Sequence, residues 1–116
     1  DIANLNCPGQ IVISGETERI SSAVEAGKEK GFKRVMPLPV AGAYHSRLME
    51  PARAAFETFL KDLPFRVPEF PVFSNVDTQA SNDPETIKAK LVKQIVSPVL
   101  WKYLKLPQRF QDFRVV

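Results

Sequence analysis

An extended segment turns into a helix within the stretch Pro37-Leu-Pro-Val-Ala-Gly-Ala-Tyr-His-Ser-Arg-Leu-Met-Glu-Pro51. The early prolines favour extended backbone, whereas Pro51 is tolerated only in the first turn of a helix. The single histidine of the 116-residue chain, His45, therefore lies just before a helix N-terminus. The positive end of the helix dipole favours a neutral ring there, which is the state that a general base needs. A hydrogen-bonded, half-buried histidine beside Tyr44 and Ser46 is the structural alternative.

Upstream of this stretch, the pattern alternates between strand and helix. The β-branched run Gln10-Ile-Val-Ile-Ser14 predicts a strand. The spacing of apolar residues after Glu16 predicts a helix, and Gly31 suits the position just past its end. Arg34-Val-Met-Pro-Leu38 predicts a second strand, whose far end lies at a sheet edge or leaves the sheet because proline cannot donate to the ladder.

Downstream, two more helices and one more strand are indicated. The apolar spacing from Leu48 to Leu63 predicts an amphipathic helix that ends before Pro64. Phe70-Pro-Val-Phe-Ser74 predicts a third strand, followed by a polar loop over residues 75–83. Asp83-Pro84 is typical of a helix start. This alternation predicts an α/β or α+β fold with helices on a sheet face. The stretch from Lys102 to Val116 permits a short helix and a frayed tail but specifies neither.

Composition narrows the range of functions. Sixteen basic and thirteen acidic residues give a net charge of +3, and the basic residues are scattered without interleaved aromatics, which disfavours nucleic-acid binding. The single Cys7 excludes an internal disulfide, and neither a signal-type leader nor an apolar run of membrane-spanning length is present, so we expect a cytoplasmic or organelle-matrix protein. One histidine and one cysteine cannot build a zinc site, and no Gly-rich phosphate loop occurs, so no cofactor is predicted.

Three segments, taken in order, resemble the malonyl-CoA:acyl-carrier-protein transacylase family. They are Asn4-Leu-Asn-Cys-Pro-Gly-Gln10, Pro37-Leu-Pro-Val with Tyr44-His-Ser and Leu48-Met, and Gln94-Ile-Val-Ser-Pro-Val99 with Trp101. The likeness runs from about Ile2 to Trp101 and implies transfer of malonyl from malonyl-CoA to an acyl-carrier protein in fatty-acid or polyketide synthesis. His45 matches the family's catalytic histidine, and Gln94 matches the glutamine whose backbone carbonyl holds that ring.

The resemblance also implies substrate contacts. Asn4 and Asn6 match a polar segment near the family's substrate cleft, although both also suit the turn before Pro8-Gly9. Tyr44 takes the position before the histidine, where a bulky ring favours a small acyl group such as malonyl. The implied division of the chain is residues 1–40 in part of a ferredoxin-like subdomain, residues 41–105 in part of the large α/β acyltransferase domain, and an atypical tail over residues 106–116.

The sequence departs from the family in ways that bear on activity. It contains no Gly-x-Ser-x-Gly segment, which carries the family's nucleophile, and lacks the family's oxyanion-hole glutamine, its malonyl-binding arginine and its Gly-Pro-Gly segment. With Asp1 rather than Met at its start, the sequence suggests a fragment of a longer chain, which would expose a sheet edge and tend to oligomerise. We therefore expect the isolated chain to be inactive.

Two other functions compete with this interpretation. The chain could be a non-catalytic module that binds a partner such as an acidic acyl-carrier protein through the basic residues between Lys88 and Lys105. Alternatively, Cys7 or Ser46 could act with His45 in a minimal hydrolase. Adjacent residues rarely present their side chains as base and nucleophile, and Cys7 before a proline is expected to be a small buried residue, so this alternative ranks low.

Overall fold

The computed structural model describes residues 1–104, and this part of the chain holds three α-helices and two small antiparallel sheets. In chain order the elements are β1 (Ile2–Cys7), β2 (Gln10–Ile13), α1 (Thr17–Glu29), α2 (Glu50–Leu60), β3 (Val72–Phe73), β4 (Ala80–Ser81) and α3 (Pro84–Gln94). Short 3-10 helices cover Arg47–Met49 and Trp101–Tyr103. The mixture of helices and small open sheets confirms the predicted α/β (α+β) class.

Strands β1 and β2 form a hairpin that also reaches a distant part of the chain. The strands pair from Ile2 opposite Ile13 to Cys7 opposite Gln10, and the turn between them uses Gly9 at φ +83°. On its other side, β1 forms a parallel bridge with Val99, whose N–H donates to the Ala3 carbonyl at 2.8 Å. Because Val99 follows α3, this bridge brings the end of α3 close to the N-terminal hairpin.

Helix α1 is confirmed close to its predicted limits. It ends where Gly31 takes a left-handed conformation with φ +76°, which glycine adopts without a Cβ penalty. The Phe32 N–H donates to the Gly27 carbonyl at 3.1 Å, and the Gly31 N–H donates to the Lys28 carbonyl at 3.0 Å. These two bonds satisfy carbonyls that the helix itself leaves free, so the local sequence alone specifies where the helix stops.

The predicted strand Arg34–Leu38 is wrong. The structure leaves this segment outside both sheets of the described residues, and the side chains of Met36 and Leu38 are about half exposed. Pro37 removes an N–H donor from the segment, and Pro39 removes another just after it, whereas a strand forms only where a partner completes the ladder. The β-branched and apolar composition therefore did not specify a pairing partner.

The sheet formed by β3 and β4 also differs from the prediction. The expected strand Phe70–Ser74 is reduced to Val72 and Phe73, and its partner Ala80–Ser81 lies within the segment predicted to be a polar loop. The turn between them is closed by the Thr78 N–H, which donates to the Ser74 carbonyl at 2.8 Å. A two-residue strand carries too little periodic pattern to be recognised from sequence.

Helix α3 begins as its sequence predicts. The Asp83 side chain accepts a hydrogen bond from the Thr86 N–H at 2.7 Å, and Pro84 occupies the first turn. Hydrogen bonds from Thr86 lower the pKa of the Asp83 carboxyl group, because they favour its charged form. The helix ends at Gln94. Of the last stretch, residues 102–104 complete and follow a 3-10 helix, and the predictions for residues 105–116 lie outside the described part.

Helix α2 packs against α3, and each of the two helices contributes one buried apolar residue. Pro51 stands in its first turn, as predicted, and the helix ends at Leu60, ahead of Pro64. Within the described residues, three apolar residues are buried, namely Ala3, Leu60 and Val92. None of the helices in residues 1–104 combines the length and the apolar character needed to cross a membrane.

We expect substitutions at two neighbouring positions of α2 to differ sharply in their effect on the free energy of unfolding. Leu60→Ala is expected to lower the free energy of unfolding by about 2–5 kcal/mol, because it leaves a cavity around a side chain that is only 5% exposed. Phe59→Ala, one residue earlier and 67% exposed, should change it by less than about 0.5 kcal/mol. Urea unfolding followed by circular dichroism measures both free energies. Equal losses would show that the buried Leu60 side chain contributes no more to stability than the exposed Phe59 side chain.

Candidate active site

His45 lies on a tight turn with an uncommon backbone conformation. Its φ is +60°, in the left-handed region that side-chain-bearing residues occupy at a cost of about 1–2 kcal/mol. The next residue, Ser46, caps the 3-10 helix Arg47–Met49 and is completely buried. Its hydroxyl donates to the Ala43 carbonyl at 2.6 Å and accepts from the Leu48 N–H at 3.2 Å. The two bonds span the turn on both sides of His45.

The N-terminal hairpin holds the same turn from outside. The Ser14 hydroxyl, just after β2, donates to the Tyr44 carbonyl at 2.8 Å. The Asp1 carboxylate accepts from the Arg47 N–H at 3.0 Å, and the Arg47 guanidinium lies 3.7 Å from the same oxygen. The turn is therefore attached to β1 and β2 at the residue before His45 and again at the start of the following helix.

The His45 ring meets the carboxyl end of α3. Its Nδ1 lies 3.1 Å from the backbone carbonyl oxygen of Gln94, and both residues are partly buried. The carbonyls of the last helical turn have no partner within the helix, so this oxygen is free to accept from another group. It also accepts from the Ser97 N–H at 3.3 Å, which its two lone pairs allow. Residues far apart in the chain thus meet at one ring nitrogen.

This contact selects one protonation form of the neutral ring. A carbonyl oxygen only accepts hydrogen bonds, so Nδ1 carries the proton and donates it, which leaves the lone pair on Nε2. The Gln94 side-chain amide lies farther from Nδ1, at 3.5 Å, and has an acceptor of its own in the Ser97 carbonyl at 3.3 Å. We therefore assign the ring by the shorter contact. In this form Nε2 can accept a proton from another group.

The structure places the other predicted site residues less directly. Asn4 and Asn6 lie on β1 with partly buried side chains, and no hydrogen bond joins either of them to His45 within residues 1–104. Asn4 bridges to Val99, which places it near the segment that follows Gln94. Tyr44 is 48% exposed, and its ring lies against Gly42. Of the predicted set, only His45 and Gln94 are in direct contact through their polar groups.

Neither of the two alternative nucleophiles is arranged for attack. Ser46 is inaccessible, and its hydroxyl is already bonded on both sides. Cys7 was expected to be buried, which is wrong: it is exposed at the end of β1, with its Sγ 3.5 Å from the Gln10 side-chain oxygen. The tight turn at Pro8 and Gly9 leaves this end of the hairpin uncovered, so the thiol faces solvent.

Two of the three lysines of α3, Lys88 and Lys90, are engaged within the fold, whereas Lys93 is exposed. Lys90 is 17% exposed and pairs with Asp77 at 3.0 Å. Burial alone would raise the pKa of Asp77, but the hydrogen bonds from Lys90 and from the Gln79 N–H outweigh it and lower that pKa. Lys88 donates to the Lys61 carbonyl at 3.3 Å. These two lysines therefore stabilise the fold, and a contact with an acidic partner would depend on others.

Sequence reasoning missed the residues that support the histidine. Ser14 and Ser97 bond to the backbone around the site, and no local pattern marks either of them. Ser46 carried a usable signal, because serine is a preferred cap immediately before a helix. Among residues 1–104, no cluster of three or more His, Cys, Asp or Glu side chains is arranged to hold a metal ion. The chemistry that the ring supports, with Nδ1 donating to the Gln94 carbonyl, is proton transfer at Nε2.

Comparison with known proteins relates the chain to one group of enzymes. No family model matches the chain. A curated malonyl CoA-acyl carrier protein transacylase from Staphylococcus aureus is 48% identical over 97 residues, which are 84% of this chain and 32% of that protein. The chain thus spans about a third of the length of the curated relatives that it matches.

Solved structures agree with the sequence comparison. An acyl-carrier-protein S-malonyltransferase from Bartonella henselae superposes with a TM-score of 0.82 at 42% identity, over 87% of this chain and 32% of that one. A malonyl-transacylase in complex with a type II polyketide-synthase acyl-carrier protein superposes with a TM-score of 0.83 at 40% identity, over 87% and 33%.

The fold is thus that of part of an α/β acyltransferase. Within that class, the chain is homologous to the malonyl CoA-acyl carrier protein transacylases, over about a third of their length. This confirms the resemblance seen in the sequence.

Proposed function

We propose that this chain supplies the general base for transfer of a malonyl group from malonyl-CoA to the phosphopantetheine thiol of an acyl-carrier protein. The main support is the 3.1 Å contact between His45 Nδ1 and the Gln94 carbonyl. The chain that makes this contact is 48% identical to a transacylase over 97 residues. That contact leaves Nε2 as the basic atom of the ring. Acyl transfer between two thiols by way of a serine ester requires a proton acceptor that can return the proton.

The proposed cycle uses the same nitrogen four times. His45 Nε2 takes the proton from a serine hydroxyl as its oxygen attacks the malonyl thioester, and the C–S bond breaks as Nε2 protonates the departing coenzyme A thiolate. In the second half, Nε2 takes the proton from the carrier thiol as sulfur attacks the serine ester, then returns it to the serine oxygen. The Gln94 carbonyl accepts from Nδ1–H throughout and stabilises the positive ring between steps. The serine comes from outside these 116 residues, which contain no Gly-x-Ser-x-Gly segment.

The remaining site residues have supporting roles in this proposal. Asn4 and Asn6 would bind the acyl chain or pantetheine arm through their amide groups, supported by their partly buried positions on the strand that bridges to Val99. Tyr44 would limit the acyl pocket, since it precedes His45 and its ring covers Gly42. Malonyl-CoA would serve as substrate without a resident cofactor.

The same homology supports a proposed domain assignment, a proposed partner and a proposed cellular location for this chain. We assign residues 1–40 to a ferredoxin-like subdomain and residues 41–105 to the large acyltransferase domain, with a change near the extended segment before Tyr44. The acyl-carrier protein is the proposed partner, supported by the similar transacylase whose structure contains one. A cytoplasmic or organelle-matrix location fits a chain with a single, unpaired cysteine. The engaged positions of Lys88 and Lys90 weigh against a purely binding module.

A chimera tests this function directly. In the Staphylococcus aureus transacylase, the aligned 97-residue segment is replaced by the matching residues of this chain, which keeps 48% of its residues unchanged. We expect the chimera to transfer malonyl from malonyl-CoA to a holo-acyl-carrier protein, because this chain would supply the base in the correct fold. Transfer is measured by mass spectrometry of the carrier protein.

The original transacylase serves as the positive control, and circular dichroism checks that the chimera is folded. A folded chimera that binds malonyl-CoA but transfers no malonyl would contradict the proposed function. Activity with acetyl-CoA but not malonyl-CoA would contradict the substrate assignment and leave the base in place.

A further inference from the structure

Ser46 stands out because it is the one fully buried polar residue in the part of the chain that the structure describes. Buried hydroxyls are costly unless they are hydrogen-bonded, and this hydroxyl uses both its donor and an acceptor. It donates to the Ala43 carbonyl at 2.6 Å and accepts from the Leu48 N–H at 3.2 Å. One hydroxyl therefore ties together backbone before and after His45.

The residue between these two anchors holds a strained conformation. His45 has φ +60°, and a histidine remains in this region only when its surroundings oppose relaxation to negative φ. Rotation of the His45 backbone would displace Ala43 relative to Ser46 and break the 2.6 Å bond. The direction of the His45 side chain depends on the same φ, and so does the approach of Nδ1 to the Gln94 carbonyl at 3.1 Å.

We propose that Ser46 is a positioning residue for His45: its buried hydroxyl holds the left-handed turn that presents Nδ1 to the Gln94 carbonyl and leaves Nε2 free. The catalytic meaning rests on the proposed function, whereas the effect on the ring is a property of this chain alone. The Ser14 and Asp1 contacts fix the turn to the hairpin, but they bond to Tyr44 and Arg47, on either side of His45 and Ser46. Neither replaces the bond that closes the turn over the histidine.

The alternative role for Ser46 is that of a helix cap alone. Asp83, which caps α3, is the matched control for that role. Asp83 also caps a helix through one backbone N–H, at 2.7 Å, but it lies at the far end of α3 from Gln94. If Ser46 only capped a helix, Ser46→Ala and Asp83→Ala would both lower stability and neither would change the histidine ring. If Ser46 positions His45, only its own substitution changes the ring.

The experiment is ¹⁵N NMR of the imidazole in the full 116-residue chain, where the single histidine gives unambiguous signals. In the native chain and in Asp83→Ala, we expect Nδ1 protonated and Nε2 unprotonated near neutral pH. Ser46→Ala should give a mixture of the two tautomers, with increased motion of the ring. Ser46→Thr, which keeps the hydroxyl, should restore the native pattern. An unchanged tautomer in folded Ser46→Ala would overturn the proposal.

Two further measurements test the role of Ser46. If Ser46→Ala does not fold, Ser46→Cys keeps the side-chain size with a much weaker hydrogen-bonding group, and the same change of tautomer is expected. In the chimera, Ser46→Ala should lower kcat by about 10-fold to 100-fold with little change in KM, as misplacement of a catalytic group does. A chimera inactive even with native Ser46 would refute the proposed function and leave the ring result standing, whereas an unchanged kcat would refute the positioning role.

Discussion

Replacing His45 with alanine in the chimera is expected to slow malonyl transfer by at least about a thousandfold. In the proposed cycle the imidazole removes the proton from the serine and gives it to the leaving thiolate, so both half-reactions would lose their proton carrier together. No other histidine exists in the chain to take its place. The loss should appear in kcat more than in KM, because the missing interaction belongs to the transition state. Single-turnover transfer to the carrier protein measures it.

Gln94→Ala is the matched variant for this prediction. Gln94 holds the histidine through its backbone carbonyl, which alanine retains, so the variant loses only the side-chain amide, with its bond to the Ser97 carbonyl and its 3.5 Å contact with His45 Nδ1. We expect a decrease of no more than about tenfold, the size of one hydrogen bond. A His45→Ala chimera within tenfold of the parent would show that another group is the base. An equal, large loss in Gln94→Ala would show that the side-chain amide rather than the carbonyl positions the ring.

The isolated chain is expected to remain unmodified after incubation with malonyl-CoA. It carries the proposed base, His45, but not the Gly-x-Ser-x-Gly segment that bears the nucleophile of the transacylase family, and the buried Ser46 and the exposed Cys7 do not replace that nucleophile. Removing one member of a nucleophile and base pair costs orders of magnitude in rate, and here the nucleophile itself is missing. Intact-mass spectrometry measures the adduct, with circular dichroism to establish that the chain is folded.

The chimera is the positive control for that measurement, since it restores the nucleophile and should gain the mass of one malonyl group. His45→Ala of the isolated chain is run beside the native form. A malonyl adduct on the native chain that is absent from the variant would place a nucleophile within these 116 residues and contradict the prediction.

The helices were predictable because their ends are marked locally. Gly31 stops α1 by taking a left-handed conformation, and Asp83 with Pro84 starts α3, so neighbouring residues decide both boundaries. The strands were less predictable, since a strand needs a partner. Arg34–Leu38 has strand-like composition but no partner in residues 1–104, whereas Ala80–Ser81, in a mostly polar stretch, pairs because a turn brings it beside β3.

In the candidate site, too, the local sequence predicts some features and long-range contacts determine the others. The position of His45 before a helix follows from the prolines around it, but its positive φ depends on bonds made by Ser46 and on the attached hairpin. The contact with Gln94 joins distant parts of the chain, and composition and periodicity contain no sign of it. Only the resemblance to the transacylases pointed to that pair, because a family pattern carries information about long-range contacts that local physical rules do not.

We propose that His45 is oriented to act as a base through Nε2. The ¹⁵N NMR spectrum of the native chain tests it most directly, since His45 is the only imidazole. We expect one dominant neutral tautomer, with the proton on Nδ1 and the lone pair on Nε2, although the free amino acid prefers the opposite form. A neutral ring with its proton on Nε2, or one that exchanges freely between the two forms, would show that His45 is not oriented in this way.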